Sequence, residues 1–68
     1  MQYRATLYNN NTPFDSVIMS GINEIKEWAK DRGDTYGLNI KTYHDGDLPE
    51  EHVINYMIKN NRFYKIRN

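Results

Sequence analysis

The stretch INEIKEWAKDR constrains this chain more than any other. Ile22, Ile25, Trp28 and Ala29 recur at helical spacing and make one apolar stripe. A helix with such a stripe has to bury it against another layer of structure. Ser20 reads as the N-cap, since its hydroxyl can accept from a free amide of the first turn. Gly33 reads as the terminator, because glycine enters the left-handed C′ conformation without strain.

The flanking segments alternate instead, so the layer that receives the helix is a sheet. In QYRATLY, residues 2–8, Tyr3, Ala5 and Leu7 share one face, and Arg4, Thr6 and Tyr8 the other. NNNTP is a turn, because asparagine tolerates positive φ and Pro13 suits a strand start or edge. FDSVIM returns the chain, with either Phe14, Ser16 and Ile18 or Val17 and Met19 facing inward. TYGLNIKTY places Tyr36, Leu38 and Ile40 opposite Asn39, Lys41 and Tyr43.

Residues 48–60, LPEEHVINYMIKN, fit two descriptions. As a helix, Asp47 caps it, Glu50 completes a capping box and Pro49 sits in the first turn, where a missing N–H does no harm. Val53, Ile54, Met57 and Ile58 then form its buried stripe. As a strand, VINYMI makes a hairpin with FYKI through Asn60-Asn61. The capping residues favour the helix. RFYKIR is a final strand with Tyr64 and Ile66 inward and Phe63, Lys65 and Arg67 outward. The expected fold is a single α+β domain over residues 1–68, ordered β-β-α-β-α-β, with β-β-α-β-β-β as the alternative. Its helices pack on one face of a small sheet and leave the other face open.

A chain of 68 residues buries only roughly 60% of the surface its unfolded form exposes. With no cysteine, disulfides and thiolate metal sites are excluded. The alternating MQYRATLY start lacks a signal-peptide core and no apolar run is long enough to span a bilayer, so a cytoplasmic protein without membrane partners is expected. The abundance of Asn, Ile, Tyr and Lys, whose codons are AT-rich, points to an AT-rich genome such as those of many bacteria and phages.

The net charge is zero, which argues against a general polyanion binder. The distribution is uneven. Residues 24–51 hold eight acids and four bases, whereas residues 52–68 hold four bases and no acid.

Catalytic and metal chemistry find little support. His44 and His52 bracket four acids in HDGDLPEEH, but neither zinc spacing nor a full calcium-loop ligand series is present. Glu24, Glu27 and Asp31 lie on the polar face of the helix, where Glu27 and Lys30 form an ordinary i,i+3 pair. No enzymatic activity, metal or cofactor is expected.

Two surfaces remain. Alternation groups Arg4, Tyr8, Lys41, Tyr43, Phe63, Lys65 and Arg67 on the open face, a basic-aromatic set. Tyrosine and arginine are frequent anchors of protein interfaces, and aromatics with cations also stack bases and meet phosphates. Glu24, Glu27, Asp31, Asp45, Asp47, Glu50 and Glu51 form a second, acidic candidate. The resulting expectation is a small regulator or inhibitor, encoded by a phage or mobile element, that acts by binding a host protein. Nucleic-acid binding through the open sheet face is the alternative, and homodimerisation is compatible with the size.

Overall fold

Two pairs of asparagines set the ends of the fold. Asn10 and Asn11 have φ of 51° and 66°, and Asn60 and Asn61 have φ of 52° and 60°. Positive φ at both central residues is what a two-residue type I′ hairpin loop requires, and asparagine tolerates it better than other side-chain-bearing residues. The first pair joins β1 (Gln2–Asn9) to β2 (Thr12–Met19), and the second joins β4 (His52–Lys59) to β5 (Arg62–Ile66). Between the hairpins lie α1 (Ile22–Lys30) and β3 (Gly37–Tyr43). The computed structural model describes residues 1–32, 37–46 and 48–66.

The strands form one antiparallel sheet in the order β2-β1-β3-β4-β5. Because β2 and β3 both run antiparallel to β1, they are parallel to each other with β1 between them. The helix is the crossover that connects them, and it lies over β1 and β2. The molecule is mostly sheet, and α+β describes it only loosely.

The order is thus β-β-α-β-β-β, and the second helix expected over residues 48–60 is a correction. Ile54 and Ile58 are four apart, a spacing that suits one turn of helix and equally one face of a strand. Tyr56 between them decides in favour of the strand, because Ile54, Tyr56 and Ile58 all pack on the core side. As a strand this segment pairs with β3 on one side and β5 on the other, so alternate residues find backbone partners on either side.

The core is small: Ala5, Leu7, Ile25, Ala29, Leu38, Ile40 and Ile58 are the fully enclosed apolar residues. Tyr3, Val17, Met19, Ile22, Trp28, Ile54, Tyr56 and Phe63 pack around them. Val17 and Met19, not Ile18, therefore face the helix. Trp28, expected to be buried outright, is half-buried at the margin, with the Arg32 guanidinium 5.2 Å from its ring centroid.

The helix begins differently from expectation. Gly21, in extended conformation, is the N-cap and no side chain caps the turn. The Ser20 hydroxyl instead donates to Glu24 Oε1 at 3.4 Å. At the other end Asp31 is the C-cap and the Arg32 N–H donates to the Ala29 carbonyl at 3.0 Å. Gly33, the expected terminator, lies outside the described residues, as do Asp34, Tyr36, Asp47 and Arg67.

Two measurements check this architecture. Ile58→Ala is expected to cost ~2–5 kcal/mol in urea unfolding, and Val53→Ala, on the solvent side of the same strand, under ~1 kcal/mol. A helical segment would place both in the buried stripe and make both costly. At the first turn, Asn11→Ala is expected to destabilise by ~1–2 kcal/mol, while Asn11→Gly preserves or raises the unfolding temperature.

Candidate functional site on the open sheet face

Among the described residues, the side of the sheet away from α1 carries no second layer. Its side chains follow from the register, which lines them up in rows across the strands. One row runs from Pro13 and Phe14 on β2 through Tyr8 and Gly37 to Met57 and Tyr64 on β5. The next runs Ser16, Thr6, Asn39, Asn55, Ile66, and the third Ile18, Arg4, Lys41, His52. Two bulges shape the face. The register shifts between Leu7 and Tyr8 and between Ile40 and Lys41, leaving Phe14 and Val53 as the extra residues.

Of the expected site residues, Arg4, Tyr8, Lys41 and Tyr43 are on this face. Arg4 Nε donates to Glu50 Oε1 at 2.8 Å, and its guanidinium carbon is 5.2 Å from the Tyr43 ring centroid. Both partners of the ion pair are about one-third exposed, so it fixes Arg4 in place more than it stabilises the fold. Lys41 has no ion pair among the described residues.

Phe63 and Lys65 are on the opposite side. Lys65 pairs with Tyr56 and Phe63 with Ile58, which commits both to the helix face. Phe63 packs edge-on against Tyr56, with centroids 5.7 Å apart and planes at 79°. Tyr64 and Ile66, expected inward, occupy the open face in their place and are exposed. The two-residue turn makes this inversion unavoidable, since Lys59 opposite Arg62 sets the facing of everything after it. Reading Asn60-Asn61 as the hairpin turn would have found Met57, Tyr64 and Ile66 from the sequence.

The acidic candidate does not form one surface. Glu24, Glu27 and Asp31 belong to the helix and its cap, whereas Glu50 reaches across to Arg4 on the other side of the sheet. Glu27 holds Lys30 at 3.4 Å. Asp45 and Glu51 are exposed near the β3–β4 connection, where the Glu51 N–H donates to Thr42 Oγ1 at 2.9 Å. Among the described residues, no group of three or more His, Asp or Glu side chains could hold a metal ion.

The middle of the open face is concave. Gly37 has no side chain between Tyr8 and Met57, and the gap it leaves opens into a depression of about 340 Å³ that reaches Asn39, Lys41, Asn55 and Ile66. Asn39 Nδ2 donates to Asn55 Oδ1 at 2.7 Å across the strands, and lies 3.4 Å from His52 Nδ1. The two amides are half-buried and hold each other in one arrangement, giving the depression a polar floor beside its apolar rim.

A Cβ built on Gly37 meets only Tyr8 Cβ, at 3.8 Å, an ordinary contact. Gly37→Ala is therefore expected to raise stability by up to ~0.5–1 kcal/mol in thermal or urea unfolding, since alanine restricts the unfolded chain more than glycine does. A loss of stability would show that the position is conformationally constrained. No protein-family model, curated protein or solved structure matches the chain.

Proposed function

We propose that this protein is a non-enzymatic binding module that docks the open face of its sheet onto another protein. The observation that carries this reading is the composition of that face. Ile18, Met57, Tyr64 and Ile66 are exposed large apolar residues that the register puts on the side without a helix, and Phe14 and Val53 are exposed at the two bulges. An extended apolar patch with polar residues interspersed is characteristic of an interaction surface. Five strands about 4.8 Å apart and roughly 25 Å long give on the order of 500 Å² of flat area, the scale of a small interface.

The exposed apolar side chains of the face favour a protein partner over a nucleic acid there. Lys65 and Phe63 face the other way, and Arg4 is engaged by Glu50 and Tyr43. Lys41, with Lys59 and Arg62 at the β4–β5 end, remains on the face without an ion pair among the described residues, so it is the exposed apolar side chains that tip the reading towards a protein. In its fuller form the proposal is a small regulator or inhibitor of a host protein, encoded by a phage or mobile element. That extension is supported by the size and residue usage of the chain.

The test is alanine and charge substitution against a partner recovered from a host lysate treated with nuclease. Tyr64→Ala and Met57→Glu are each expected to weaken binding by roughly thirtyfold, the ~2 kcal/mol of an interface hot spot. Both residues are exposed, so circular dichroism is expected to show an intact fold. Unchanged affinity in both variants, with loss on charge reversal at Glu24 and Glu27, would move the interface to the helix.

A further inference from the structure

The sheet sorts its charges by face. Among the residues of the five strands only Asp15 is acidic. It stands opposite Leu7, on the helix side, and Arg32 Nε donates to its carboxylate at 3.1 Å. The strand cations divide the other way. Arg4, Lys41, Lys59 and Arg62 belong to the open face, and Lys65 alone to the helix side. Glu50 reaches in from the β3–β4 connection and neutralises Arg4. The other three open-face cations have no ion pair among the described residues. A chain with no net charge thus presents a positive face.

The unpaired cations lie at two ends of that face. Lys59 is directly opposite Arg62 beside the turn, one row beyond Met57 and Tyr64. Lys41 lies two rows to the other side of Met57, past Asn39 and Asn55. Three steps of two residues put about 20 Å between the two ends. Met57, Tyr64 and the depression beside Gly37, which Lys41 and Ile66 help to line, occupy the interval. Like charges in register across a ladder repel, and a carboxylate placed between Lys59 and Arg62 relieves that repulsion.

We propose that the partner docked on the open face is acidic: a protein segment that seats an apolar side chain at the depression and sets carboxylates on Lys41 and on the Lys59–Arg62 pair. This rests on the docking reading and adds the chemistry of the partner. Complementary charge steers the encounter and excludes wrong partners, while the apolar area between the charges holds the complex. A nucleic-acid strand fits less well. It draws on a continuous basic track with aromatic platforms, and here the exposed aliphatic chains of Met57 and Ile66 stand between the cations.

Fluorescence anisotropy of the full chain with three labelled peptides tests the proposal. Each has about twelve residues, which extended span roughly 40 Å and so cover both ends of the face. The first sets leucines among glutamates, the second replaces the leucines by serine, and the third replaces the glutamates by lysine. Saturable binding of the first is expected, roughly tenfold or more tighter than of the others. The double substitution Lys59→Glu, Arg62→Glu is expected to reverse the preference in favour of the basic peptide. Lys41→Glu tests the same charge at the other end, away from the hairpin turn, and is expected to weaken the acidic peptide by about threefold or more. Lys30→Gln, on the helix, should change nothing. All of these side chains are exposed, and thermal unfolding of each variant separates lost binding from lost fold. A preference of the unsubstituted chain for the basic peptide, weakened by Tyr64→Ala, would overturn the acidic partner and leave the docking face standing. Absence of saturable binding by the acidic peptide would also overturn the acidic partner. Binding of that peptide unchanged by both Tyr64→Ala and the charge reversals would overturn the acidic partner and the docking face together. Equal binding of the serine peptide would overturn the apolar seat. Tighter binding of labelled oligothymidylate or of phosphatidylserine vesicles, lost on charge reversal, would overturn the proposal in favour of a nucleic acid or a membrane surface.

Discussion

A single nine-residue helix has to cover one face of a five-stranded sheet, and everything else in this molecule follows from its being too small to do so. Nine residues at 1.5 Å rise span about 14 Å. Five strands at about 4.8 Å spacing span roughly 19 Å between the outermost axes, before side chains are added. The helix settles over β1 and β2, where Ala5 and Ala29 belong to the same enclosed cluster as Leu7 and Ile25. Two surfaces are left over: the whole of the opposite face, and the helix-side flank of β4 and β5.

The flank is closed by side chains in place of a second helix. Ile58 is fully enclosed, and Tyr56 and Phe63 pack edge-on beside it with Lys26 above them. The magnitudes assign the work. Burying an isoleucine contributes ~1.5–3 kcal/mol, whereas an exposed cation–π contact contributes ~0.5–1 kcal/mol. Ile58 therefore holds the hairpin to the core, and Lys26 covers the rings beside it. The same residue that shields the rings also contributes charge.

Much of this was legible in the residues. The stripe of Ile25 and Ala29, the facing of β1 and β3, and the openness of one sheet face all follow from periodicity alone. The segment after Asp47 was not, because its two signals conflict. Pro49 and Glu50 are good first-turn helix residues, but they lie before β4 in a connection, and no helix follows them. Under either description of that segment RFYKIR reads with Tyr64 and Ile66 inward, and only the Lys59–Arg62 pair beside the turn fixes Phe63 and Lys65 there instead. The expected basic-aromatic set is thus divided, with Phe63 and Lys65 on the helix side and Met57, Tyr64 and Ile66 beside Arg4, Tyr8 and Lys41 on the open face. Ser20 illustrates a smaller limit: a capping residue type adjacent to a helix start need not cap when its hydroxyl finds Glu24 one turn on.

The order of the strands also has a kinetic side. The two Asn-Asn hairpins are local structures, of a kind that forms in about 1–10 μs. They are joined through the ladders that β3 makes with β1 on one side and β4 on the other. In the first of these Ala5 meets Ile40 and Leu7 meets Leu38, so distant parts of the sequence come together only when the helix crossover is in place. Closing that long loop costs entropy before the core contacts repay it. The two hairpins are thus like clasps joined by one late fastening, the ladders of β3, whose closure carries the long-range part of the entropy cost.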